Sequence, residues 1–282
     1  MRHPKYDTVV PPRVPYGSEP ALTDQTLRRD AFAGWLTSSD NPLFARSYVN
    51  RAWSYFFGRG IIEPVDDIRA SNPPINGPLL DALTQDFIAH HFDMQRLVRT
   101  IVSSQTYQLS IATNKWNADD RVNFSHAIPR RLTAEQMMDA VAIATGMPSK
   151  VPGLPAGMRS VYAPDGMVAG SDFLKLFGRP KRETACECER TGNVSLAHAL
   201  NLINGPMISE AVVDPAGSIT KLVKSEPDNR RVLEQIYLAT LSRKPTEAEY
   251  KTLDLGEGDK RTETAQDLAW ALLNSPAFLF NR

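Results

Sequence analysis

The chain has 282 residues, 42% hydrophobic and 23% charged, with 32 basic side chains balancing 32 acidic ones. That length and mixture suit one large core or two ordinary ones, and they exclude a disordered chain. Zero net charge gives no basic excess for nucleic acid, and no apolar run approaches the roughly 20 residues of a membrane-spanning helix.

The first stretch, "MRHPKYDTVVPPRVPYGSEP", has no apolar core after Arg2 and Lys5, so it is not a signal peptide. Pro11, Pro12, Pro15 and Pro20 make residues 1–22 an extended lead-in, of the kind that follows another domain. "TDQTLRRDAFAGWLTSSD" predicts a helix capped by Thr23 or Asp24, with Leu27, Phe32, Trp35 and Leu36 at helix-like spacing. "DNPLFARSYVNRAWSYFFGRG" predicts the next, with Asn41 as cap, Pro42 in the first turn and Gly58 or Gly60 at its end. "PLLDALTQDFIAHHF" and "DMQRLVRTIVSSQTY" form a helix pair about a turn at Phe92 and Asp93. "TAEQMMDAVAIATG" carries a capping box, Thr133 with Gln136, and stops at Gly146.

Residues 147–170 break the pattern. Three prolines and four glycines fall between Pro152 and Gly170, and only "MRSVYA" reads as a strand. This Pro/Gly-rich excursion can hold a short β-hairpin, and serves as a connection or as a lid. Helical patterns resume in "SLAHALNLING", "DNRRVLEQIYLATLSR" (Asp228 as cap), "TEAEYKTL" and "RTETAQDLAWALLNS". The expected fold is therefore mostly α, an irregular multi-helical domain over 23–282. Two lobes, 23–146 and 171–282, would be joined by the 147–170 loop.

Three stretches hold candidate chemistry. "ETACECER" contains both cysteines, Cys186 and Cys188, between glutamates, with Arg182 and Arg190 at its ends. A structural zinc needs four ligands and this spacing offers two, so no metal site is assigned. Glu187 and Glu189 oppose a reactive thiolate. A short, reducible disulfide and a pair of buried thiols both fit what remains. In "NRAWSYFFGRGIIEPVDD", Asn50 and Arg51 sit on the helix, Arg59 in its terminating turn, and Asp66 and Asp67 beyond. One aspartate paired with Arg51 or Arg59 would pin the loop to the helix; paired carboxylates can otherwise do acid–base work. "GRPKRE" gathers Arg179, Lys181 and Arg182, either a solvated turn or a docking point for an anionic partner. His90 and His91 end a helix, and the lone His126 and His198 suit local hydrogen bonds better than a metal. Phosphate-loop, nucleophile-elbow and H-E-x-x-H motifs are absent.

Five of these stretches together, "NPLFARSYVNRAWSYFFGRGIIEPVDDIRASNPP", "LLDALTQDFIAHHFDMQRLVRTIVSSQTYQLS", "PRRLTAEQMMDAV", "FLKLFGRPKRETACECER" and "LLNSPAFLF", resemble a planctomycete-type C-terminal domain of unknown function. The resemblance runs from about Asp30 to the C-terminus. It implies an exported, periplasmic setting within large proteins that also carry cytochrome-c-like modules. Within these residues there is no C-x-x-C-H, so haem would sit on another domain or a partner.

The resemblance implies an accessory, scaffold or ligand-binding module, with sister domains or a redox partner as its contacts and no assignable reaction. The competing expectation is an enzyme acting on an extracellular polymer such as polysaccharide. Its cleft would be built from the FGRG/DD and CECER stretches, using Asn50, Arg51, Arg59, Asp66, Asp67, Arg179, Arg182, Glu189 and Arg190.

Overall fold

The computed structural model describes residues 2, 4–10, 13–20, 27–149, 151, 153–155, 157–163, 172–179 and 196–281. The chain divides into two compact units, Met1–Ile128 and Pro129–Arg282. The division precedes the 147–170 segment at which a split between lobes was expected. The reason is that the helix starting at Ala134 packs its buried face into the C-terminal unit.

In the N-terminal unit, helix α1 spans Arg28–Leu36 and buries no residue fully. It is tied to the lead-in instead, since Trp35 Nε1 donates to the Tyr16 carbonyl at 3.0 Å. Its expected cap, Thr23 or Asp24, lies outside the described residues. Helix α2, Phe44–Phe57, begins where Asn41 Oδ1 accepts from the Leu43 and Phe44 amides at 3.0 and 3.2 Å. Those bonds satisfy amides that the first helical turn leaves open. It ends at Gly58, whose φ of 79° is the left-handed cap that glycine adopts without a Cβ penalty.

Helix α3, Gly77–Ala89, is capped by Asn76 and carries proline in its first turn. Helix α4, Met94–Val102, is capped by Asp93. His91 and Phe92, at φ 54° and 60°, make the tight turn between them. Val49 and Trp53 of α2, Leu80 and Phe87 of α3, and Leu97 and Ile101 of α4 enclose Ile61 and Ile62 from the loop after α2. This unit therefore builds its core partly from a loop.

The C-terminal unit is organised around α5, Ala134–Thr145, whose capping box of Thr133 and Gln136 forms as the sequence predicts. Gly146 ends it at φ 66°. A two-residue strand β1, Arg130–Arg131, pairs antiparallel with β2, Phe280–Asn281, clamping the start of α5 to the end of the unit. "MRSVYA" does not form the expected strand; Ser160–Tyr162 is a 3₁₀ turn packed on α5. Among the described residues of the excursion there is no β-hairpin.

The remaining helices are α6 (Asp172–Leu176), α7 (Leu196–Asn204), α8 (Pro206–Val213), α9 (Ser218–Ser225), α10 (Asn229–Leu241), α11 (Glu247–Thr252), α12 (Asp259–Leu273) and α13 (Pro276–Leu279). Helices α8, α9, α10 and α13 pack on α12, and the core runs through Met137, Val141, Ile208, Val232, Ile236 and Leu273. Among the described residues no helix is long and apolar enough to cross a membrane.

Candidate functional site

Helix α2 carries two of the candidate residues, Asn50 and Arg51, and the loop after it holds three more, Arg59, Asp66 and Asp67; Asn50 governs that loop. Asn50 is fully buried, with its Nδ2 donating to the carbonyls of Ile62 and Val65 at 3.0 and 3.1 Å. Its Oδ1 accepts from the Ile62 amide at 2.8 Å. A Cβ on Gly60 would stand 2.2 Å from the Ile62 carbonyl and 2.9 Å from Asn50 Nδ2. Gly60 is thus required by close approach rather than by positive φ, unlike Gly58.

The charged neighbours finish the same job. Arg51 pairs with Asp66. Burial opposes the charge of the Arg51 guanidinium, but Asp66 and Tyr55 outweigh it and hold its pKa above the usual value. Asp67 pairs with Arg69 at 2.8 Å, so the two aspartates face different partners. They lie in a turn, where the Asp67 amide donates to the Pro64 carbonyl at 2.9 Å. Arg59 Nη1 donates to the Arg121 carbonyl at 2.9 Å. Asn72, which the sequence reading passed over, donates to the Glu63 and Asp67 carbonyls at 3.2 and 2.9 Å.

In the C-terminal unit, Arg179 follows α6 and its side chain is 3% exposed. Its Nη2 donates to the Ala163 carbonyl at 3.1 Å, and its Nε lies 3.7 Å from Glu135 Oε1. Glu135 is itself buried, at 7%, in the first turn of α5. A buried charge needs such a counter-charge. His198 of α7 donates from Nε2 to the Leu176 carbonyl at 2.6 Å, which fixes its tautomer. Arg131 donates to the Phe177 carbonyl at 3.3 Å and lies 5.6 Å from the centre of that ring. Burial pushes the Arg131 pKa down. Arg182, Cys186, Cys188, Glu189 and Arg190 lie outside the described residues.

Three acidic or basic groups of consequence escaped the sequence reading: Glu135, Arg131 and Asp139. Asp139 is buried on α5 and accepts from the Ser160 and Val161 amides at 2.6 and 3.3 Å. It thereby holds the 3₁₀ turn against α5. Nothing local marks these residues, because each partner lies more than 20 positions away or in a different element. Among the described residues, no group of three or more His, Cys, Asp or Glu is placed to hold a metal ion.

What these described residues do, then, is fix backbone: Asn50 holds a loop, Asp139 a turn, and Arg179 joins the end of α6 to the Ala163 carbonyl. Neither the curated proteins nor the solved structures include a match to this chain. A family profile does match, over residues 28–255. The chain belongs to the PSD1 family, described as proteins of unknown function (DUF1553).

Proposed function

We propose that this chain is an accessory module of a larger exported protein that also carries cytochrome-c-like modules. In that role it packs against sister domains or a redox partner and carries out no reaction itself. One observation carries the reading: each described candidate side chain is bonded to neighbouring backbone or to a paired charge. A general acid or base must instead keep a proton or a lone pair directed at its substrate. The haem for any electron transfer would belong to a sister domain or partner, and the setting would be periplasmic or otherwise exported.

The test is made on the whole protein that contains this chain. Cross-linking mass spectrometry is expected to join the chain to sister domains or to a cytochrome-c-like module; an absence of such links sinks the packing role. Asp66→Asn and Glu135→Gln are expected to lower stability and leave any polysaccharide turnover unchanged. A loss of turnover of roughly 100-fold in a folded variant, the usual effect of removing a general acid or base, favours the enzyme instead.

A further inference from the structure

A cleft of about 360 Å³ opens in the C-terminal unit between α5, α6 and α8. Small-molecule sites commonly span about 300–1,000 Å³, so this one suits a compact ligand. Met138 of α5, Met147 beyond it and Met207 of α8 line the cleft together with Phe173 of α6. The protein has eight methionines, and three of them line this one cleft. Unbranched thioethers adapt to ligands of differing outline. Phe173 is stacked on Phe177 with ring centres 4.2 Å apart, which makes its ring a fixed wall.

The charge in this lining is all of one sign. Asp172, Glu210 and Asp214 contribute to the cleft, and no Lys, Arg or His does so among the described residues. Asp214 Oδ1 accepts from the Ala216 amide at 2.7 Å, and Glu210 is exposed on α8. Among the described residues, an anion would meet only like charge here. A bare metal ion would need several oxygens converging within bonding range, and these carboxylates form no such group. A diffuse organic cation needs no converging oxygens, because carboxylates near it attract it without coordinating it, and its body prefers apolar walls.

We infer that the cleft binds a small amphipathic organic cation, an alkyl- or arylammonium, with its body against Met138, Met207 and Phe173 and its charge toward Glu210, Asp214 and Asp172. This site is separate from the packing role proposed above.

The experiment titrates the protein, labelled at its methionine methyl groups, with benzyltrimethylammonium and, in parallel, with 3-phenylpropionate. The ammonium is expected to shift the Met138, Met147 and Met207 methyls saturably, leaving the core methyl of Met137 in place as a folding control. Glu210→Gln and Asp214→Asn should each weaken binding by about 2- to 5-fold, and added salt should weaken it further. Ala211→Leu, which fills the cleft, should abolish the shifts. Equal shifts with the carboxylate, an unchanged affinity in the doubly neutralised variant, or no methionine shift at all overturns the inference. A protein that cross-links to its sister domains but ignores the ammonium loses this site and keeps its packing role.

Discussion

Asn50 and Ile62 bond to each other twice: the Asn50 side chain accepts from the Ile62 amide at 2.8 Å and donates to its carbonyl at 3.0 Å. A third bond, to the Val65 carbonyl at 3.1 Å, makes this one amide the substitute for a strand neighbour along a loop that has none. The loop in turn delivers Ile61 and Ile62 to the core. Replacing Asn50 by Ala strands up to three buried backbone groups, each of which is costly when unpaired. Asn50→Ala is expected to cost on the order of 3 kcal/mol in urea unfolding, with faster exchange at the Ile62 amide. Asn50→Asp keeps the acceptor and loses both donors, so it should be no better. An unchanged midpoint for either variant would refute this role.

A carboxylate plays the corresponding part in the loop 120–125. Asp120 accepts from the Val122 and Asn123 amides at 2.9 Å each and also from the Ser125 hydroxyl. These donors hold its pKa well below the usual carboxylate range, the Ser125 hydroxyl foremost. The folded value lies under the unfolded one, so the stabilisation is complete above the unfolded pKa of about 4 and is lost as pH falls through the folded value. The loop sets Phe124 against Trp53 and Phe57 with ring centres 5.4 and 5.2 Å apart. Asp120→Ala should therefore lower the melting temperature at pH 7, and the gap from the parent protein should narrow below about pH 4. A gap that widens in acid contradicts the sign.

How much of this could be read in advance depended on range along the chain. The Thr133–Gln136 box, the Asn41 cap and the Gly58 stop are written within a few residues, and they formed. Helices α8 and α9 went unread because each is eight residues long and neither has a side-chain cap to announce it. Ser160–Tyr162 reads as a strand by its β-branched and aromatic residues, yet the Asp139 carboxylate 21 positions earlier makes a 3₁₀ turn preferable. The candidate residues followed the same rule. Arg51 and Asp66 could be paired by eye, whereas Glu135 became a partner of Arg179 only through the packing of α6 near α5.

That buried pair can be weighed by a double-mutant cycle. Glu135 and Arg179 are 7% and 3% exposed in their side chains. Removing Glu135 takes a counter-charge away from a buried guanidinium, and breaking such a pair typically costs about 3–5 kcal/mol. Glu135→Leu together with Arg179→Met should recover much of that loss, since two apolar groups of similar size carry no desolvation penalty. Guanidinium unfolding of the single and double variants gives the coupling. If the double variant is as unstable as the sum of the singles, the two charges are not coupled.

Gly146 and Ser218 set the geometry at the end of α5. Gly146 sits at φ 66°, and a Cβ there would stand 2.8 Å from Ser218 Cβ and 3.1 Å from its amide nitrogen. The Ser218 hydroxyl meanwhile donates to the Ala144 carbonyl at 3.2 Å, closing α9 onto the last turn of α5. Gly146→Ala thus meets two separate costs, a left-handed backbone that alanine resists and a collision with α9. The backbone cost alone is about 1–3 kcal/mol. Adding Ser218→Gly removes the colliding side chain but not the amide or the φ, and it forfeits the bond to Ala144. The double variant should therefore recover only part of the loss in thermal unfolding. Full recovery would mean that collision alone matters, and no recovery would mean that the backbone conformation dominates.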